Sequence, residues 1–288
     1  IMNKNKGTCQ SQMAADGMGV SFERISIGEV DTSRCPTTGG CIASRGTMMG
    51  GMAIKRACDA VHKIMAEALA EKYGKSTENI VFENDRVRFA DEDISFEEAV
   101  HACYSIGRSP MAFGTYVVDT TKWDETHREP YNTYTYSCNA AEVEVDLDTG
   151  SVNVVKMVGC HDAGKVINPA MIKGQIYGGM TMAAGMALTE DLGFNRKTSA
   201  LKNLNFENYL IPTAMDVNEN VALYEENYDP RTAFGGRSIG EPTTEDGAAA
   251  IIAAVNHALG HPGLIHELPA DLDRVFFAAK SLDEKKGE

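Results

Sequence analysis

The segment from Asn168-Pro169 to about Thr189 reads as one apolar helix that carries Gly174, Gly178, Gly179 and Gly185. Pro169 suits the first turn, where its missing N–H has no intrahelical partner to lose. Each interior glycine costs a helix about 1 kcal/mol relative to alanine. Such a helix makes sense where another backbone or a ligand comes very close. Its surroundings therefore have to supply that neighbour.

The flanking pattern supplies strands. Thr133 to Val145 and Val152 to Val158 alternate in strand fashion around the tight-turn signal Asp148-Thr149-Gly150. His161-Asp162-Ala163-Gly164 reads as a loop, and Phe206 to Ile211 and Val221 to Glu226 as further strands. Earlier in the chain, Gln10 to Met18 reads as a helix, Phe22 to Glu29 as a strand and Asp31 to Cys41 as a loop. A long helix is expected from Ser44 to Tyr73, with Met52, Val61, Met65, Ala68 and Leu69 at helical spacing and Gly74 as its C-cap. Ile80 to Phe82 and Val87 to Phe89 form a hairpin signal, and Ser95 with Glu98 a capping box before a helix from Ala99 to Ile106. A short helix through Phe277 and a charged tail close the chain. Strands and helices alternate throughout, which predicts an α+β (mixed α/β) fold. The polar, Pro130-containing stretch 122–132 places a boundary that divides the chain into subdomains 1–125 and 126–288. A length of 288 residues accommodates one large or two ordinary domains.

The balance of charge excludes some functions. A formal net charge of -14 disfavours nucleic acid and anionic membranes, whose binding needs clustered Lys and Arg. No apolar run reaches the roughly 20 residues that span a bilayer, and Ile1 to Lys6 precedes no apolar signal region. The seven cysteines include no C-x-x-C spacing, so they read as free thiols in a reducing cytoplasm. The same spacing suggests no protein-ligated metal. Cys41 and Cys160 read as small buried residues, not nucleophiles.

Two segments carry chemistry. In Phe234-Gly235-Gly236-Arg237-Ser238-Ile239-Gly240-Glu241-Pro242, one carboxylate stands between a glycine and a proline at a helix entry. A carboxylate on so rigid a support suits a general base; alternatively, Glu241 only favours the positive end of the following helix. In the other segment, Thr37 to Thr47, a loop rich in Gly, Thr and Ser runs into a helix through Ile42-Ala43-Ser44-Arg45-Gly46-Thr47. Backbone amides at a helix start bind phosphate or pyrophosphate; alternatively, Ser44 simply caps the helix. The Gly-Lys-Ser/Thr ending of a P-loop is missing. Gln175 offers a ligand both donor and acceptor, though a helical Gln is as readily a surface residue. His161 beside Asp162 invites an acid–base reading against that of a loop His satisfied by backbone.

Taken in order, these segments resemble the molybdenum hydroxylase family of xanthine dehydrogenase, aldehyde oxidoreductase and heteroaromatic hydroxylases. Gly7-Thr8-Cys9-Gln10-Ser11-Gln12 is similar to the end of the family's glycine–glutamine cofactor loop, and Ala43-Ser44-Arg45 to its pterin-dinucleotide loop. His161 to Pro169 followed by Gly174-Gln175, then Gly240-Glu241-Pro242 and Leu268-Pro269-Ala270, complete the series. The resemblance covers nearly the whole chain and points to the C-terminal part of the molybdopterin-binding subunit. Asn5-Lys6-Gly7 departs from the family's Gly-Gln-Gly.

What the resemblance implies is specific. The cofactor would be molybdopterin cytosine dinucleotide, its molybdenum held through the pterin and by no side chain. Gly7, Gln10, Ile42, Ala43, Ser44, Arg45, Gly46, Thr47, Gln175 and Gly240 would contact it, and Glu241 would be the general base. The chain starts where relatives already have a long preceding part. That implies a divided enzyme of the nicotinate dehydrogenase kind, oxidising nicotinate to 6-hydroxynicotinate in the cytoplasm. A larger molybdopterin subunit would complete the site, and subunits with [2Fe-2S] clusters and FAD would pass electrons to NADP. The alternatives are a purine, xanthine or aldehyde oxidoreductase subunit, and a non-catalytic subunit that only holds cofactor.

Overall fold

The computed structural model describes residues 2–28, 31, 33, 40, 42–118 and 133–284. The chain forms two compact units, each with its own helices and sheet. The first comprises Ile1–Tyr134, Gly164–Asn168 and Asn227–Ser238, and the second Thr135–Ala163, Pro169–Glu226 and Ile239–Glu288. A single cut after residue 125 does not express this division, because two later loops return to the first unit.

In the first unit, α1 (Met2–Met18) lies along α2 (Gly46–Tyr73). Small residues let the two helices approach: a Cβ on Gly17 would stand 3.0 Å from Cys58 Sγ, and one on Gly51 2.9 Å from Met13 Sδ. Gly74 ends α2 in the left-handed region at φ 63°, its N–H bonding Ala70 O. Strands β1 (Val81–Glu83), β2 (Arg86–Phe89) and β3 (Glu92–Ser95) form an antiparallel meander. Along β2, buried Val87 and Phe89 alternate with exposed Arg86 and Arg88, as the two-residue period of a strand demands. The helix α3 (Phe96–Ser105) opens with the expected capping box, in which Ser95 N donates to Glu98 Oε2 at 2.7 Å and Glu98 N to Ser95 Oγ at 3.2 Å. Met65, Leu69, Val87, Phe89, Ala99 and Cys103 close the core between α2, β2 and α3. Each large side chain there contributes about 1.5–3 kcal/mol.

In the second unit, β4 (Ser137–Val145) pairs antiparallel with β5 (Val152–Asp162), and β5 pairs parallel with β6 (Glu219–Glu225). The crossover between the parallel strands contains α4 (Pro169–Leu188), the glycine-bearing helix. After β6 come α5 (Pro242–Glu245), α6 (Gly247–Ala258) and α7 (Leu272–Glu284). Met157, Ile176, Met180, Ile251, Val255 and Val275 are fully buried and form the centre of this unit.

Several expectations need correction. Over its described residues, 22–28, the expected strand Phe22 to Glu29 does not form: Phe22–Arg24 is a 3-10 turn, and Asp85 ties both ends of it by accepting from Ser21 N (3.0 Å) and pairing with Arg24 (2.8 Å). Phe206 to Ile211 is irregular, since Asn205 turns the chain by accepting Glu207 N on its side chain (3.2 Å) and Tyr209 N on its carbonyl (2.9 Å). His161-Asp162 is no loop but the end of β5, drawn into the sheet by pairing with Ser137, Tyr224 and Glu225. Gly7 to Gln12 lies within α1 instead of a loop. Ser44 does not cap α2, for Arg45 occupies that position. β3 went unforeseen because Ile94 is its only apolar residue. The loop 34–39 and the boundary stretch 122–132 lie outside the described residues.

Candidate cofactor and catalytic site

The first unit gathers several of the sequence-predicted residues around the start of α2. Ala43 and Ser44 both take positive φ, 54° and 47°, a conformation costly for residues with a Cβ and concentrated at ligand-binding turns. They turn the chain so that Ile42, 68% exposed, and Ala43 lie at the surface while Arg45 reaches back to donate to Gly40 O through Nε at 2.8 Å. The first helical bond, Met49 N to Arg45 O, is 2.8 Å, so the amides of Gly46 and Thr47 head α2. Gln10 approaches from α1: its Nε2 lies 3.2 Å from where a Cβ on Gly50 would stand. Gly7 sits one turn before Gln10 in α1 and accepts Ser11 Oγ at 2.8 Å.

A returning loop braces this start. Ser238 Oγ accepts Met48 N at 3.2 Å. Lys165 N donates to Gly235 O at 2.7 Å, and Asn168 Nδ2 to Gln12 Oε1 at 3.0 Å. The loop is itself organised by Asp229, whose side chain has no exposure. Asp229 accepts Arg231 Nε (2.9 Å), Arg231 N (3.0 Å), Arg237 Nε (3.3 Å) and Thr133 Oγ1. The Arg231 hydrogen bonds foremost, helped by Thr133 and opposed by burial, hold its carboxyl far below the usual carboxylate range. Asp229 was not foreseen as a site residue, although Asp229-Pro230 is a turn signal.

The second unit carries the remaining candidates. Glu241 precedes α5 at φ -84° and ψ -39°, and its carboxylate makes no capping bond to that helix. The backbone around it is fixed. Thr244 N and Oγ1 both donate to Glu241 O at 2.8 Å, and Thr243 Oγ1 donates to Gly240 O at 3.0 Å. Thr243, 1% exposed, lies against α4 at Gly179, where a Cβ would come under 3.0 Å from both Thr243 O and Oγ1. At Gly179 the close neighbour of the glycine-bearing helix is thus the turn that carries Glu241, and at Gly185 it is Glu190 and Pro212. Gln175, half-buried, lies one helical turn before Gly179 on the same side of α4. The structure therefore brings Gln175 and the Gly240-Glu241 turn to one edge of this unit, with an exposed carboxylate beside a half-buried amide.

Behind that turn lies a polar cluster that sequence reasoning missed. Asp246 accepts Ser137 Oγ at 3.1 Å and Asn139 Nδ2 from β4. His161, with no exposed surface, points both ring nitrogens to positions without a hydrogen-bond partner. Burial pushes its pKa down, against the pull of the Asp246 charge. Among the described residues, no three His, Cys, Asp or Glu side chains converge as metal ligands, and no helix is long and apolar enough to cross a membrane.

The geometry belongs with a known class of domain. The molybdopterin cofactor-binding domain family matches residues 6–218, and the chain belongs to that family. Its relatives make it the C-terminal part of a molybdenum-hydroxylase molybdopterin-binding subunit. It is 31% identical over 286 residues to the nicotine 6-hydroxylase large subunit of Paenarthrobacter nicotinovorans, covering 97% of this chain and 34% of that protein. It is 28% identical to the xanthine dehydrogenase molybdenum-binding subunit of Escherichia coli O157:H7, covering 93% of this chain and 35% of the relative. Among solved structures, quinoline 2-oxidoreductase from Pseudomonas putida 86 superposes with a TM-score of 0.80 at 28% identity, over 95% of this chain and 35% of that one. Cu,Mo-CO dehydrogenase shares the fold at a TM-score of 0.83 and 22% identity, over 96% and 34% of the two chains. The chain thus spans about a third of the length of these relatives.

Proposed function

We propose that this chain forms part of the active site of a molybdenum hydroxylase that oxidises a ring carbon of an electron-poor N-heteroaromatic compound, nicotinate to 6-hydroxynicotinate, with Glu241 as general base. The observation that carries the reading is the rigid presentation of Glu241, exposed on a turn locked by Thr243 and Thr244 and seated on Gly179 of α4. A general base needs a fixed aim, and a carboxylate on a one-turn helix wedged against a longer one has it.

The chain's residues fit a pterin dinucleotide. The left-handed pair Ala43-Ser44 delivers the amides of Gly46 and Thr47 to the head of a 28-residue helix, a setting for pyrophosphate oxygens. Ile42, Arg45, Gln10 and Gly7 line that end of the first unit. In the second unit, Gln175 offers an amide to the pterin, and Gly240 a backbone held by Thr243. When bound, the molybdenum cofactor supplies the oxygen donor and a two-electron acceptor. Glu241 would hold its carboxylate ready to accept the proton whose loss makes that oxygen nucleophilic. We take the nucleotide to be cytosine, the first region as a molybdopterin-binding subdomain and the second as the subdomain carrying the catalytic glutamate. A larger molybdopterin subunit, a [2Fe-2S] subunit and an FAD subunit complete a cytoplasmic, NADP-linked complex.

The heteroaromatic substrate class is supported by the relatives named for nicotine and quinoline. A xanthine dehydrogenase relative at 28% identity keeps purines as the second substrate class to assay. The intact Gly240-Glu241-Pro242 turn argues against a purely cofactor-holding subunit.

The test is Glu241→Gln in the complex purified with its companions. Turnover of nicotinate is expected to fall by at least 10²-fold, in line with loss of a general base, while molybdenum and pterin contents stay at wild-type levels. Acid release of the cofactor is expected to yield CMP. Near-wild-type turnover by the variant would overturn the role of Glu241.

A further inference from the structure

Glu241 can be aimed only as well as the far end of its turn is held, and the fold holds that end at Asp246. The single-turn helix α5 runs from Pro242 to Glu245, so Glu241 and Asp246 flank it directly. Thr243 fixes the first end against α4. Asp246 fixes the second against the sheet by accepting Ser137 Oγ at 3.1 Å and Asn139 Nδ2. Both donors stand on β4, whose register with β5 places them beside His161 and Gly159 (Ser137 opposite His161, Asn139 opposite Gly159).

The floor of this contact is closed. A Cβ on Gly159 would stand 2.7 Å from Asn139 Oδ1, 3.2 Å from Ile176 Cγ2 and 3.3 Å from His161 Nε2. Asn139 Oδ1 and both His161 nitrogens are buried without hydrogen-bond partners. Asp246 is thus held by the two β4 donors, with no hydrogen bond from His161. The amide of Asn139, half-buried over Gly159, has little room to turn away.

We propose that Asp246, gripped by Asn139 and Ser137, is a positioning residue for Glu241: it acts through the α5 turn and touches no substrate. The proposal rests on the reading of Glu241 as the base. It is tested in the intact complex by exchanging the two partners. Asn139→Asp sets two carboxylates against each other and is expected to lower kcat roughly 10- to 100-fold, the scale of an ångström's misplacement of a catalytic group. KM and molybdenum content are expected to stay within about twofold of wild type. Adding Asp246→Asn restores one donor and one acceptor with reversed direction, and is expected to return kcat to within about fivefold of wild type. The milder Ser137→Ala variant, expected to lose roughly two- to fivefold in kcat alone, carries the test if Asn139→Asp does not assemble. Wild-type kcat in Asn139→Asp or in Ser137→Ala, or no recovery in the exchanged pair, overturns the proposal. A dead Glu241→Gln enzyme alongside those results condemns the anchor only, whereas an active one condemns the base itself.

Discussion

Gly178 and Gly179 are neighbours on α4, and the structure predicts opposite responses when each becomes alanine. At both positions the substitution removes the backbone entropy cost of glycine, worth about 0.5–1 kcal/mol in a helix interior. At Gly178, apart from its chain neighbours and its own helix backbone, none of the described residues lies within 4 Å of the new Cβ, so the gain survives. At Gly179 the Cβ enters a buried position under 3.0 Å from the backbone oxygen and Oγ1 of Thr243. A backbone oxygen cannot swing aside as a side-chain tip can, so α4 and α5 have to part by roughly 1 Å. Overpacking of that kind costs about 1–3 kcal/mol, which outweighs the entropic gain. It also displaces the Glu241 turn, and a shift of about that size costs roughly 10²-fold in rate.

Differential scanning calorimetry and steady-state assay of the purified complex test the pair. Gly178→Ala is expected to raise the unfolding midpoint by about 1–4 °C, and Gly179→Ala, at a net cost of up to about 2.5 kcal/mol, to lower it by up to about 10 °C, at roughly 2–4 °C per kcal/mol. Only Gly179→Ala is expected to depress kcat. A Gly179→Ala enzyme as stable and active as wild type would refute the close seating of α5 on α4. A destabilised Gly178→Ala enzyme would show that a body outside this chain covers that face, against the expected gain.

Two further outcomes follow from burial. Because the fold holds Asp229 below the carboxylate range, its stabilisation is complete above the unfolded value near 3.9 and fades as pH falls through and below it. Asp229→Asn is therefore expected to flatten the loss of stability below about pH 4, read as unfolding midpoint against pH, and an unchanged acid limb would count against the Asp229 cluster. Burial, chiefly, pushes the Cys58 thiol up to about 11, so native protein at about pH 8 is expected to leave Cys58 unalkylated by iodoacetamide. Exposed Cys138 is expected to react first; equal labelling of the two by mass spectrometry would contradict that burial.

The sequence was most legible where one physical signal acts alone. Gly74 stops α2 because a left-handed cap favours glycine, and Ser95 with Glu98 starts α3 because the pair satisfies its own amides; both read correctly. The glycines of α4 announced a close neighbour, though not that it would be the turn bearing Glu241. Reading failed where distant partners decide. Phe22 to Ile25 has strand composition, yet Asp85 from a hairpin 60 residues away curls it into a turn. β3 is polar except at Ile94, and it is held by that one residue, which pairs with buried Val87 and packs on the core of the unit.

The site shows the same division between local and distant causes. Gly240-Glu241-Pro242 is contiguous, so its chemistry can be read along the chain. What aims it is not contiguous: Gly179, Asn139 and Asp246 come from three elements separated by up to 107 positions. Asp246 in particular looks like one more surface acid in the run Thr243-Thr244-Glu245-Asp246. Only the register of β4 on β5, which sets Asn139 over Gly159, turns it from a solvated charge into an anchor of the turn that carries Glu241. A contiguous motif thus announces the candidate group, while the precision of its placement resides in residues whose types are ordinary and whose meaning is set by the sheet.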